Sequence, residues 1–350
     1  MRIRFLTSTP LDVLRGSGTF VGIQVLARAL EAQGHAVDIE TPQRRLRSFT
    51  AQRILFNRGL RASADCDLTI GFDLDGYLIA GERHVAALKG VIADEVRFER
   101  GATRFTMAMQ ARRERQHVHR AERVIVTSRY SAERAQEFYG LRETPAIVPE
   151  LIELGEWQKL LAEHPAASER FTVLSVGRFY RRKRVDLLLR AAAELRERIP
   201  GLEVRIVGNG PCNEQWRALA EALRLRDTVT WLGDVSRADL AREYNRAHVF
   251  CTGSVQEGFG IVLLEAMAAG KAIVAARAGA IPEVVPHATL VEAESAGAIA
   301  AGIEELYRRE DARAEHGRVG LERVREYDAP RIAPWFLRAA MGACATGRSA

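Results

Sequence analysis

A chain of 350 residues, 47% hydrophobic and 27% charged, has the material for two globular domains of ordinary size, which excludes disordered, fibrous and collagen-like classes. Its 51 basic residues outnumber 45 acidic ones, but only Lys89, Lys159, Lys183 and Lys271 are lysines, so the excess is a weak nucleic-acid signal. No apolar run approaches the roughly 20 residues that cross a bilayer, Met1 leads directly into Arg2-Ile3-Arg4, and Cys66, Cys212, Cys251 and Cys344 form no Cys-x-x-Cys pair. A membrane anchor, a secretory leader, a disulfide framework and a zinc site are therefore not expected, and reduced thiols in the cytoplasm are.

In chain order, the opening predicts a β-α-β unit. Ile3 to Thr7 is a short apolar run, and a connection containing Gly16-Ser17-Gly18 follows it. Val21, Val25, Leu26, Ala29 and Leu30 then recur on one helical face, with Gly34 as the stop and Ala36 to Ile39 as the next strand. Gly16-x-Gly18-x3-Gly22 superficially resembles a dinucleotide fingerprint. Eight residues separate Thr7 from Gly16, however, and the last spacing is one too long, so no nicotinamide cofactor is expected.

Residues 42–61 hold Arg44, Arg45, Arg47, Arg53, Arg58 and Arg61 without an acid, among Leu46, Phe49, Ile54, Leu55, Phe56 and Leu60. The pattern suits an anionic membrane surface or a lipid-linked substrate, and equally a solvated helix or loop. Further strands are predicted at Leu68–Gly71, Lys89–Ala93, Val124–Thr127 and Ala146–Val148. Asp73-x-Asp75 is read as surface or acceptor-side. His117 and His119, two apart, fall on different sides of a helix, which argues against a metal pair. Residues 1–150 carry 23 basic and 18 acidic residues against 28 and 27 in the remainder, so an anionic partner is expected at the first half.

The regular pattern lapses through Glu153 to Arg170, read as a linker, and restarts. Phe171–Val176, Glu203–Val207, Val229–Leu232, His248–Cys251, Ala272–Ala275 and Thr289–Val291 predict strands, with helices beginning near Val185, Asn213, Ser236 and Ile261. Ser236 and Asp239 resemble a capping box. This alternation predicts two doubly wound α/β domains, one over 1–155 and one over 165–330. Tyr327-Asp328-Ala329-Pro330 interrupts the last helical pattern, leaving 331–350 as a separate helix that can pack back on the first domain.

Two segments of the second half carry candidate chemistry. In Glu257-Gly258-Phe259-Gly260 through Glu265 to Gly270, the glycines keep Glu257 in a loop, and the helix after Gly260 opens with amides that lack internal partners and can receive phosphate. Glu265 falls in the second turn among apolar residues, where a buried carboxylate needs hydroxyls or cations; a sugar diol is a suitable partner, and a solvent-facing Glu is the plainer alternative. In Gly177-Arg178 through Lys183-Arg184, Arg178 follows a strand at the sheet edge where open α/β folds bind ligands, so Arg178 and Lys183 can clamp a diphosphate.

Together with Ile206-Val207-Gly208-Asn209-Gly210-Pro211 and Leu232-Gly233, these segments resemble the donor domain of family 4 glycosyltransferases, whose hallmark is the Glu-x7-Glu spacing. The resemblance is close over about 171–330 and looser over 1–152. It implies the GT-B fold, two Rossmann-like doubly wound domains facing a central cleft, and retaining, metal-independent transfer from a nucleotide-diphosphate sugar to an acceptor hydroxyl without a cofactor. It also implies that Arg178 and Lys183 bind the donor diphosphate and Glu257 the donor sugar, these three forming the catalytic set. Glu265 would take the ribose, Leu232 and Gly233 the base, and Gly208, Phe259, Gly260 and Ile261 would lie along the donor by their main chain. Gly16 and Gly18 would let the first-domain loop approach the diphosphate.

Three positions depart from the family pattern. No His stands in Lys89 to Glu95, where Asp94 takes the neighbourhood on the acceptor side; Pro149-Glu150-Leu151 replaces Pro-Asn-Gly; and Arg184 stands where a Gly often follows the Lys. The rival readings are a GT-B sugar-nucleotide epimerase and a basic nucleic-acid-binding protein, the latter without a recognisable motif.

Overall fold

The computed structural model describes the chain except residues 10–17, 44, 45, 47, 64, 80–82 and 343–350, and at 18–20 the backbone alone. It divides into two units, Met1–Leu151 with Ala329–Ala350, and Ile152–Asp328.

The first unit holds strands β1 (Arg2–Leu6), β2 (Ala36–Glu40), β3 (Leu68–Phe72), β4 (His84–Leu88), β5 (Arg123–Val126) and β6 (Ala146–Ile147), all parallel in the order β2-β1-β3-β4-β5-β6. Phe5 of β1 stands opposite Ile39 on one side and Ile70 on the other. Helix Gly18–Glu31 presents Ile23, Leu26 and Leu30 to one face of this sheet, and helix Ala329–Met341 joins the same core through Ile332 and Phe336. Each such side chain, withdrawn from water, contributes about 1.5–3 kcal/mol.

One predicted strand is displaced. Lys89–Ala93 is not a strand: β4 ends at Leu88, Lys89 and Gly90 bend, and Ile92–Glu95 is a helical turn. The sequence offers apolar residues on both sides of Lys89-Gly90, and the pair Asp94 and Glu95 suits a helical first turn better than a buried strand.

The second unit holds β7 (Thr172–Val176), β8 (Glu203–Val207), β9 (Val229–Gly233), β10 (Val249–Thr252), β11 (Ala272–Ala276) and β12 (Thr289–Val291), parallel in the order β12-β11-β10-β7-β8-β9. Helices Val185–Leu195 and Ala296–Arg308 pack with one face, through Leu188, Ile299 and Ile303. Helices Arg237–Arg246 and Ile261–Ala268 pack with the other, through Tyr244, Leu264 and Met267. Ser236 caps Arg237–Arg246 by accepting from the Asp239 amide at 3.1 Å.

The predicted linker is largely helix. Leu154–Glu163 is helical, and Leu154 with Trp157, one turn apart, joins the core of the second unit; Trp157 is fully buried edge-on to Tyr244 at 5.7 Å. Only the stretch after it lacks regular structure, up to β7.

In each sheet the strand order reverses once, between β1 and β3 and between β7 and β10. The carboxyl ends of the strands flanking such a reversal splay their connections apart, which makes it the usual ligand site of an open parallel sheet.

Candidate functional site

The connections leaving β7 and β10 carry the predicted donor residues. After β7, Lys183 closes the short 3-10 turn Arg181–Lys183, and Arg184 follows in the left-handed conformation at φ 48°. That conformation is unfavourable for most residues with a Cβ and suits glycine. Arg184 is held by Asp186 at 3.1 Å and Glu294 at 2.7 Å.

The Val255 amide donates to the Arg182 carbonyl at 2.9 Å, tying the β10 connection to the β7 turn. Beside that tie, Lys183 Nζ donates to Glu257 Oε1 at 2.5 Å, with side chains 19% and 10% exposed. An ammonium has three donor protons and Glu257 takes one, so Lys183 keeps capacity for an anion. The Glu257 carbonyl accepts from the Ala280 amide at 2.9 Å, and Gly279 packs so closely that a Cβ there would lie 2.7 Å from the Glu257 nitrogen. Gly279 and Ala280, after β11, were not legible as site residues because their contribution is backbone contact.

Arg178 is more open, its Nη1 3.5 Å from Asp234 Oδ1. Its loop is shaped by glycine. A Cβ on Gly208 would lie 1.9 Å from the Gly177 carbonyl oxygen, and one on Gly210 2.7 Å from the Phe179 nitrogen. The close approach that Gly208 permits here is therefore between two protein loops. Gly208 also donates to the carbonyl of Gly233, which turns at φ 67° as the last residue of β9, while Leu232 is partly buried against the core.

Gly260 caps helix Ile261–Ala268 at φ 93°, so Ile261 opens it with the positive end of the helix dipole. The Phe259 ring is buried edge-on to Tyr327 at 5.6 Å, so what Phe259 offers a ligand is its main chain. Glu265 is buried and accepts from the Tyr244 hydroxyl at 3.1 Å. Burial pushes its carboxyl up to about 7, against the opposing pull of Arg237 and of Tyr244. Neither partner was found from the sequence, since both come from the preceding helix.

In the first unit, Gly16 lies outside the described residues, and Gly18 is the first residue of its helix. Asp94 is fully buried; Oδ2 accepts from Tyr130 at 2.6 Å and Oδ1 from Arg97 at 3.2 Å, so both oxygens are engaged within the fold. Asp73-x-Asp75 is not on the surface. It follows β3 at the strand reversal, and Asp75 is fully buried, accepting from Ser8 Oγ at 2.8 Å and from Asn57 at 2.8 Å.

Residues 42–61 turn one arginine, Arg53, inward and leave Arg58 and Arg61 exposed. In helix Phe49–Gly59 the buried residues are Gln52, Arg53 and Asn57, while Phe49 and Leu55 face out; Arg44, Arg45 and Arg47 lie outside the described residues. His117 is buried with Nδ1 2.5 Å from the Asp73 carbonyl, whereas His119 meets the Tyr139 carbonyl, so the two histidines do not converge.

Residues 158–322 match the family described as glycosyl transferases group 1. Over 166 residues the chain is 36% identical to a GDP-mannose-dependent alpha-(1-6)-phosphatidylinositol monomannoside mannosyltransferase of Mycobacterium tuberculosis, covering 45% of this chain and 43% of that protein. The match thus spans under half the length of this curated relative. In fold, the chain superposes on sucrose-phosphate synthase of Thermosynechococcus elongatus with a TM-score of 0.78 at 22% identity, covering 98% and 100% of the two chains. It superposes on Anabaena Alr3699/HepE in complex with UDP-glucose with a TM-score of 0.72 at 16% identity, covering 98% and 100%. The fold is GT-B, with two Rossmann-like units.

Proposed function

We propose, from the match of residues 158–322 to the glycosyl transferases of group 1, that the protein moves a sugar from a nucleoside-diphosphate donor to an acceptor hydroxyl, in the building of a glycan, glycolipid or related conjugate. The observation that carries the reading is the Lys183–Glu257 pair at the β7/β10 reversal, beside Arg178 and ahead of a glycine-capped helix start. A diphosphate leaving group gains negative charge as the sugar departs. Cations and amides already fixed around it stabilise that charge without reorganising. Glu257 orients the sugar through its hydroxyls, and Glu265, poised by Tyr244, takes the ribose.

We further propose family 4 chemistry with retention, the departing phosphate accepting the acceptor's proton, and no metal requirement. Support for metal independence comes from both units. Arg178 and Lys183 supply the charge a divalent ion would bring, and in Asp73-x-Asp75 the Arg53 guanidinium already stands 3.6 and 3.7 Å from the two carboxylates. Thermal-shift screening with UDP, GDP, ADP and their sugars should give one selective stabiliser, and product analysis with that donor should show transfer that persists in excess EDTA. Inactivation by chelator reversed by Mg²⁺ or Mn²⁺ would overturn the metal assignment, and conversion of donor to an epimerised sugar without an acceptor would overturn transfer.

The mannosyltransferase relative is named for a phosphatidylinositol monomannoside, and no described helix of this chain is long and apolar enough to cross a membrane. We propose a cytoplasmic protein in peripheral contact with an anionic membrane through Leu46, Phe49 and Leu55, exposed by 41%, 40% and 55%, with Arg58 beside them. Burying such side chains at a lipid interface favours binding, and nearby arginine adds attraction to anionic headgroups. Leu55→Glu should abolish co-sedimentation with vesicles rich in anionic lipid; retention of binding by that variant rules out this face.

A further inference from the structure

The strand reversal of the first unit holds an incomplete polar arrangement. Arg53 is 5% exposed; its Nε donates to Ser8 Oγ at 3.0 Å and its Nη1 to Gln110 Oε1 at 3.0 Å. Its Nη2 has no hydrogen-bond partner, standing 3.6 Å from Asp73 Oδ2 and 3.7 Å from Asp75 Oδ2. Asp75 is supplied by Ser8 and Asn57, so the group left facing Nη2 is Asp73 Oδ2. A buried guanidinium N–H without an acceptor is unfavourable and calls for a group to fill the gap.

The side chain of Asp73 is 14% exposed and is the member of the arrangement nearest solvent, with Arg53 Nη2 buried behind it. Its backbone is left-handed at φ 54°, a conformation uncommon outside glycine, and is held on three sides. The Asp73 amide donates to the Ala87 carbonyl at 3.0 Å, Oδ1 accepts from the Lys89 amide at 2.9 Å, and the carbonyl meets His117 Nδ1 at 2.5 Å. The carboxylate is thereby aimed, with Oδ2 left over.

The chemistry of the gap selects its occupant. A phosphate oxygen would accept from Arg53 but would face two carboxylates. A metal ion or ammonium would suit the carboxylates but would face Arg53. Lys89, the other cation nearby, is committed to Glu150 at 2.8 Å. A hydroxyl accepts and donates at once, and so satisfies Arg53 Nη2 and Asp73 Oδ2 together. We propose that Arg53 and Asp73 bind a hydroxyl of an uncharged polyol or glycoside, the acceptor of the transfer reaction; this rests on the glycosyltransferase reading above. Burial raises the Asp73 carboxyl to about 6, with Arg53 opposing, so near neutral pH it is mainly ionised and accepts a hydrogen bond from the hydroxyl, whose proton passes to the departing phosphate in the transfer itself.

Asp73→Asn tests the assignment, because Asn keeps the shape, tolerates a left-handed backbone and can still accept from Lys89, while its amide hydrogens oppose those of Arg53. Nucleoside diphosphate affinity is measured by calorimetry, and acceptor kinetics with uncharged polyols and glycosides beside their monophosphates. The parent should prefer the uncharged acceptors, and the variant should raise their KM about tenfold or more, with donor affinity within about twofold. An unchanged acceptor KM, preference for the monophosphates, or no transfer to any uncharged acceptor by a parent that binds donor overturns the inference alone. A parent that binds no nucleoside diphosphate overturns the glycosyltransferase reading and this inference with it. Should the variant fail to fold, the Asp73 carboxyl resonance in ¹³C-labelled parent protein decides: it should shift with an uncharged polyol and not with inorganic phosphate, and no shift with any uncharged acceptor overturns the assignment.

Discussion

Replacing Lys183 with alanine should lower kcat/KM for the donor by about 10²–10³-fold, the scale on which fixed electrostatic donors act at a developing oxyanion. Two effects add. The ammonium that meets the diphosphate is gone, and Glu257, which Lys183 neutralises at 2.5 Å, becomes an unpaired and largely buried carboxylate facing an anionic ligand. The second effect makes the prediction specific. Glu257→Gln combined with Lys183→Ala should recover part of the lost donor affinity, so the two changes are not additive. Glu257→Gln alone should spare the free nucleoside diphosphate and reduce turnover, since its proposed role is at the sugar. Arg178→Ala should cost less than Lys183→Ala, because Arg178 is more solvated and its partner Asp234 lies at 3.5 Å. Calorimetry with nucleoside diphosphate and with intact donor, alongside initial rates, separates these cases. Parent-like donor affinity in Lys183→Ala would remove the pair from the site.

Glu265→Gln should remove a pH dependence of stability worth about 3 kcal/mol, from a carboxyl raised from 4.5 to about 7 by burial. The folded state holds this proton more tightly than the unfolded chain, so the contribution is fully present below about 4.5 and is lost as pH rises through about 7. Stability of the parent should therefore fall across that window, and the variant should fall less. Burial also raises Asp73 to about 6 and Glu114 well above its usual range, which gives slopes of the same sign. The difference between parent and variant is thus the quantity that reports Glu265. Bound nucleoside diphosphate should flatten the parent's slope, because ribose hydroxyls favour the ionised carboxylate. Denaturant titrations at pH 5 and pH 8 measure this, and parallel slopes in both proteins would dismiss the role of Glu265.

The strands of the second unit were legible because a parallel strand covered on both faces reads as an apolar run, and Glu203–Val207 and Thr289–Val291 form with the predicted bounds. The strand His84–Leu88 was not, since it opens on a buried histidine and runs through two alanines, leaving the richer apolar stretch beyond Gly90 as a decoy. The placement of Arg178, Lys183 and Glu257 in connections after strands was legible because glycines mark those connections. Asp234, Tyr244 and Gly279 were not, as each reaches the site from another element and carries no local signature. Arg53 misled for a related reason: a basic residue among apolar ones reads as surface, and its burial depends on Ser8, Gln110 and two aspartates 20 to 57 positions away.

The helix Ala329–Met341 closes the core of the first unit although the whole second unit is encoded before it. During synthesis at about 5–20 residues per second, the ribosome reaches Ala329 on the order of ten to forty seconds after Leu151. Over that interval the nascent first unit exposes the apolar surface that Ile332 and Phe336 will cover, while the second unit, continuous in sequence, can finish. The order of completion is thus the reverse of the order of translation, and the half with the longer wait is the one a chaperone would meet.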